Sequence, residues 1–130
     1  MWLERSELLL GKQGLERLRN SNILVVGVGG VGAYAAEMIC RAGVGEMTIA
    51  DADTVGESNI NRQLIALHST IGRNKTEVLA ERLRDINPQV VLHIHTEYIH
   101  LARSGLKSSK YEALIFLPVI VCNHVAAAAN

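Results

Sequence analysis

A chain of 130 residues is long enough for one compact domain and too short for two. Hydrophobic residues make up 48% and charged residues 20%, so a core can form and the surface can stay solvated. Thirteen basic residues balance thirteen acidic ones, so no whole-chain field advertises nucleic acid or membrane, although local patches remain free to bind either.

In chain order, Met1-Trp2-Leu3-Glu4-Arg5 lacks the basic start, apolar stretch and small-residue cleavage site of a signal peptide. From Leu3 to Asn20 the apolar positions 8, 9, 10, 15 and 18 are interrupted by Gly11 and Gly14. Each glycine costs about 1 kcal/mol inside a helix, so the pattern predicts two short helices, an N-terminal extension over residues 1–20. Asn22 to Val28 is a nearly all-apolar, β-branched run ending in glycines, which predicts a strand buried on both faces. Val31, Tyr34, Ala35, Met38, Ile39 and Ala42 then fall at helical spacing and predict one inward apolar face, with Gly43 as C-cap. Glu46 to Ala50 returns to strand character and stops at Asp51.

Thr54 to Arg73 is polar and mixed and predicts a long functional loop with short helical turns. Asn74 to Ile86 predicts a second amphipathic helix with Val78, Leu79, Leu83 and Ile86 inward, ended by Asn87-Pro88. Val90 to Ile99 alternates as a third strand, and Leu114 to Val121 offers a fourth. Strands alternating with helices predict an α/β fold, a Rossmann-like parallel sheet with flanking helices over residues 21–130. The longest near-apolar run, Ala113 to Cys122, is about half a membrane span and holds Pro118, which argues for a cytoplasmic protein without membrane attachment.

The turn Gly27-Val28-Gly29-Gly30-Val31-Gly32 follows one predicted strand and opens a predicted helix. Glycine lets the backbone turn tightly and approach a phosphate, while the helix N-terminus offers unpaired N–H groups. Asp51, at the tip of the second strand, is placed to bind the hydroxyls of a ribose. These residues point to a nucleotide at Gly27, Gly29, Gly30, Gly32 and Asp51; up to Asp51 a nicotinamide dinucleotide fits as well as ATP.

Beyond Asp51 the sequence becomes more specific. The doubled glycine Gly29-Gly30, Asp51-Ala52-Asp53, Ser58-Asn59-Ile60-Asn61-Arg62-Gln63 and Gly72-Arg73-Asn74-Lys75 occur in one order and spacing. From about Leu8 to Ile99 the chain resembles the HesA/MoeB/ThiF superfamily, the ubiquitin-activating-like adenylating enzymes. Its opening Arg5 to Gly11 and its Glu57 to Gln63 wording resemble most the branch of tRNA threonylcarbamoyladenosine dehydratases. The resemblance implies ATP with Mg²⁺ as the ligand. It places Gly30 in the ATP-facing turn, Asp51 on the ribose, Asp53 in the same acidic motif and Ser58 to Arg62 along the nucleotide. Asn59 and Arg62 are then nearest the phosphates, and Lys75 completes a cationic clamp; Arg62 and Lys75 are the implied catalytic residues. The chemistry needs such a set, because a carboxylate attacking the α-phosphate builds charge on phosphoryl oxygens that arginine forks and lysine ammonium groups stabilise.

The implied partners are tRNA, whose threonylcarbamoyl group is cyclised through its adenylated carboxylate, or a small ubiquitin-like sulfur-carrier protein. A homodimer is also implied, in which Arg5 either serves the neighbouring ATP or stays a surface residue. Two readings from other classes stay open, a nicotinamide-dependent oxidoreductase and a non-catalytic nucleotide-binding module. The second gains weight from a departure. The family carries an acidic motif at a later strand end whose aspartate helps hold Mg²⁺, and here no aspartate follows Asp85. The resemblance fades after Ile99, and the chain reads as an incomplete version of the family domain, whose unpaired edge predicts self-association. Cys40 and Cys122 each lie in an apolar stretch and predict buried thiols. His93 and His95 share a strand face without a third ligand and predict a solvated or hydrogen-bonded pair; His68, His100 and His124 stand equally alone.

Overall fold

The structure, a computed structural model, describes residues 1–99, 110 and 111 and the backbone of 113–116 and 119–122. Helix α1 spans Glu4–Arg19, strand β1 Asn22–Val26, helix α2 Gly32–Arg41, strand β2 Glu46–Ala50 and helix α3 Lys75–Ile86, with β3 at Val91–His95, β4 at Ala113–Phe116 and β5 at Val119–Cys122. One sheet joins the strands in the order β3-β2-β1-β4-β5. The β3–β2, β2–β1 and β1–β4 pairs are parallel, and β5 runs antiparallel to β4. Strand order therefore reverses beside β1, the place where doubly wound sheets open a crevice at the carboxyl ends of their strands.

The single fourth strand expected over Leu114 to Val121 is instead a pair of strands. A proline inside that run cannot donate to a ladder, and Pro118 itself lies outside the described residues. His100, His124 and the alanines at 126–129 lie outside them as well. Among the described residues no helix is long and apolar enough to cross a membrane.

Helices α2 and α3 cover one face of the sheet. The core there joins Val25, Val28, Met47 and Ile49 to Leu79 and Leu83, all fully buried or nearly so. Full burial of a side chain such as Leu79 contributes about 1.5–3 kcal/mol. On the opposite face Leu24 packs against buried Tyr111. The inward face of α3 is as its spacing predicts, except that Ile86 is only partly buried.

Helix α2 is turned relative to expectation. Val31, Tyr34 and Met38 are exposed, while Ala33, Ala36, Glu37 and Cys40 face the sheet. The cause is distance: a Cβ on Gly32 would lie 1.7 Å from the Gly27 carbonyl oxygen, so the helix starts hard against β1 and admits only small side chains beneath it. Glu37, buried on that side, accepts from Arg82 Nε of α3 at 2.6 Å and from Arg41 Nε at 3.0 Å. The hydrogen bond from Arg82 holds its carboxyl below the usual carboxylate range, against the upward push of burial, and Arg41 adds to the lowering. The charge buried under α2 is thus paired and ties the two helices together. Cys40 is buried as expected; its Sγ donates to the Leu83 carbonyl, and burial pushes the thiol up to about 11.

The N-terminal extension breaks at Gly11, whose φ of 72° is non-helical, while Gly14 continues the second segment. Of its apolar positions only Leu15 is buried, and Leu8 and Leu9 are exposed. Leu3, just before the helix, is buried and packs over Gly43.

Candidate functional site

A cleft of about 390 Å³ opens where β1 and β2 end. Its floor is Val26, Gly27, Gly29 and the segment Ala50 to Asp53; Lys75 enters from α3, and Glu97, Tyr98 and Ile99 close the side after β3. Each wall has a local cause.

β1 stops at Val26 because Gly27 adopts φ 86°, a conformation that favours glycine. The Gly27 N–H donates to the Ala50 carbonyl at 2.8 Å, and the buried Val28 side chain anchors the turn in the core. Asp51 then pins the turn from below. Its Oδ2 accepts from the Val28 N–H at 2.9 Å and its Oδ1 from the Asp53 N–H at 2.8 Å. The carboxylate expected to meet a ribose therefore also organises the phosphate-gripping backbone, with one lone pair on each oxygen left over.

The four glycines of the turn divide into two kinds. Gly27 and Gly32 are required by the fold itself, through backbone angle and through the close approach described above. Gly30 is different: a Cβ there would meet nothing within 4 Å, and one on Gly29 would touch only the Gln63 amide at ordinary contact distance. Space is open above Gly30, whereas the Gln63 side chain lies over the Cβ position of Gly29. At the same point α2 begins without a side-chain cap and without an acidic residue in its first turn, so its leading N–H groups remain available to an anion.

Lys75 arrives by a backbone clasp. Thr54 and Asn74 form an isolated antiparallel bridge, Val55 N–H donates to the Arg73 carbonyl, and Lys75 N–H donates to the Asp53 carbonyl. The long loop is thereby folded back so that α3 starts beside Asp51. The Lys75 side chain is buried, and its Nζ stands 3.9 Å from Asp53 Oδ2.

Ser58, Asn59 and Arg62 occupy a short 3-10 turn and the loop after it, outside the lining of the cleft. Asn59 Oδ1 accepts from the Gly56 N–H at 2.9 Å, shaping that turn. Arg62 is exposed and donates to the Ser58 carbonyl and to Asn61 Oδ1. Glu97, Tyr98 and Ile99 carried no signal in the sequence, since nothing in composition or spacing distinguishes them from the tail of a strand. His93 takes Glu46 as its partner, Nε2 to Oε1 at 2.8 Å. Among the described residues no group of three or more His, Cys, Asp or Glu side chains could hold a metal ion.

Comparison with known proteins adds a family. A model described as the ThiF family matches residues 3–123. The chain is 52% identical over 85 residues to a tRNA threonylcarbamoyladenosine dehydratase of Bacillus subtilis, covering 65% of this chain and 34% of that one. It is 40% identical over 80 residues to a molybdopterin-synthase adenylyltransferase of Salmonella typhimurium, covering 62% of this chain and 32% of that one. Among solved structures, the Escherichia coli tRNA N6-threonylcarbamoyladenosine dehydratase in complex with ATP superposes with a TM-score of 0.71 at 40% identity, over 73% of this chain and 39% of that one. The chain spans about a third of the length of the curated relatives it matches first.

Proposed function

The chain belongs to the ThiF family, and from that premise we propose that it binds ATP in the cleft lined by Gly27, Gly29, Asp51 and Lys75 and activates a carboxylate by adenylation. The observation that carries this reading is the cleft at the strand ends, lined together by Gly27, Gly29, the Asp51 carboxylate and the buried Lys75 side chain. A triphosphate suits that space: leading N–H groups of α2 and the Lys75 ammonium stabilise phosphoryl charge, and the free lone pairs of Asp51 accept from ribose hydroxyls. A substrate carboxylate oxygen bonds to the α-phosphorus as the bond to the bridging oxygen breaks, and pyrophosphate leaves with that electron pair. Lys75 holds the developing negative charge in place. Arg62, exposed and tied only to local loop acceptors outside the cleft lining, is the second cation proposed for the same phosphates.

Mg²⁺ accompanies ATP phosphates in solution, but its fit to this chain is poor. The C-terminal end of β4, paired as Val26↔Phe116, lies beside the turn where the family's acidic motif is called for, and no aspartate follows Asp85.

The substrate proposed is the threonylcarbamoyl group of a modified tRNA adenosine, supported by the names of the Bacillus subtilis and Escherichia coli relatives. A ubiquitin-like sulfur carrier is the second reading, supported by the adenylyltransferase relatives. The proposal extends to a cytoplasmic homodimer, and the exposed Val31, Tyr34 and Met38 stripe of α2 gives self-association an apolar surface. Incubation with ATP and threonylcarbamoyladenosine-bearing tRNA is expected to release pyrophosphate and leave a nucleoside lighter by one water. Release dependent on a carrier C-terminus instead selects the second reading. No release under conditions where a relative turns over contradicts both.

A further inference from the structure

The two cationic ends proposed to face the phosphates belong to separate helices. α2 brings its uncapped N-terminus to the end of the glycine turn, and α3 brings Lys75 as its first residue. The backbone clasp ties Lys75 to the segment after β2, but it does not hold α3 against α2. Packing fixes that relation weakly. Apart from Glu37, the buried residues of α2 are Gly32, Ala33, Ala36 and Cys40, and such small side chains raise little ridge to lock the slide of a neighbouring helix.

The directional contact between the two helices is the Glu37 carboxylate. It accepts a two-pronged fork from Arg82, Nε to Oε2 at 2.6 Å and Nη2 to Oε1 at 3.2 Å, and a third bond from Arg41 Nε at 3.0 Å. The Glu37 side chain is 6% exposed, whereas that of Arg82 is 48% exposed and reaches down to it. Apolar residues of similar volume would hold two helices together as well or better than a buried ion pair. What the fork adds is geometry, because two parallel N–H bonds fix direction and distance at once. Glu37 lies five residues after Gly32 and Arg82 seven after Lys75, about 7.5 and 10.5 Å from the helix ends that face the cleft.

We propose that the Glu37–Arg82 pair positions the clamp, setting the register of α3 on α2 so that Lys75 meets the same phosphates as the α2 N-terminus. The proposal rests on the nucleotide reading above. Both residues act through Lys75 and touch no ligand themselves.

The test measures ATP and adenosine binding, with ligand-free thermal melts, for the wild-type chain, E37M/R82M, K75M and the triple variant E37M/R82M/K75M. The double variant replaces the buried pair with apolar side chains and leaves half-exposed Arg41 to solvent, so it is expected to melt no lower than wild type. Its ATP affinity is expected to fall about tenfold, with adenosine unchanged. In the K75M background the same two substitutions are expected to weaken ATP binding by less than about twofold, because no ammonium is left to misplace. Should the double variant fail to fold, R82K, which keeps a cation beside the carboxylate and loses the fork, takes its place in the same comparison. Wild-type ATP affinity in a folded variant overturns the proposal, as does a tenfold loss that persists in full without Lys75. A lowered melt with ATP and adenosine affinity lost in proportion overturns it too, since a purely structural link would behave that way. A wild-type chain that binds neither ligand removes the ATP reading and this proposal with it.

Discussion

Lys75→Met is expected to weaken ATP binding by about 1.5–3 kcal/mol, the value of a hydrogen bond to a charged group, or about ten- to a hundredfold in affinity. The lysine is buried at 6% exposure, and its closest carboxylate, Asp53, lies 3.9 Å from Nζ and is itself largely exposed. Burying an ammonium with so distant a partner works against stability, so its presence calls for an anion in the cleft. Methionine retains the apolar stem that packs there and discards the charge. The ligand-free melting temperature should therefore hold or rise while affinity, followed by calorimetry, falls. A variant that binds ATP as wild type would remove Lys75 from the clamp and favour a non-catalytic module.

The glycine turn yields the second large effect as a contrast between two neighbouring substitutions. Gly32→Ala is expected to destabilise the fold by about 3 kcal/mol or more, because its Cβ would sit 1.7 Å from a backbone oxygen that cannot swing aside. Gly30→Ala meets nothing within 4 Å, and the lower entropy of its unfolded chain should stabilise the protein by about 0.4–1 kcal/mol. Its methyl group nonetheless enters the space assigned to phosphate, so ATP affinity should drop. Denaturant melts and ligand titrations on the same two proteins separate these outcomes. Equal stability loss in both would mean that the turn serves packing alone, and undiminished ATP binding by Gly30→Ala would mean that the space is not the ligand's.

Much of this fold is written locally and was legible for that reason. Glycines at 27, 29, 30 and 32, an apolar strand before them and Asp51 at the next strand end each act through short-range geometry, and they gather where β1 and β2 end. Lys75 was legible by its spacing from Gly72, although the clasp that delivers it is a tertiary event. Helix α2 shows where pattern reading fails. Its large apolar residues recur at helical spacing, but contact with β1 leaves room only for Ala33, Ala36 and Cys40, so the bulkier stripe is turned outward. Hydrophobic spacing reports amphipathicity and is silent on how close the neighbouring sheet will come. In α1 a single positive φ at Gly11 redirects the segment, and Leu8 and Leu9 end exposed.

Among site residues, those missed are the ones whose role depends on burial. Glu97 to Ile99 join the cleft only because β3 lies next to β2 in the sheet. Glu37 likewise reads as a solvated helix residue, whereas Arg82 and Arg41 hold it inside. None of these placements follows from neighbours in sequence; each needs a partner from another element.

Titrating the chain with ATP and with NADH at equal ionic strength decides whether this cleft is built for ATP or for a dinucleotide. Saturable ATP binding that inorganic triphosphate competes away is expected, with NADH binding far more weakly. Saturable binding of NADH alongside indifference to ATP would contradict it.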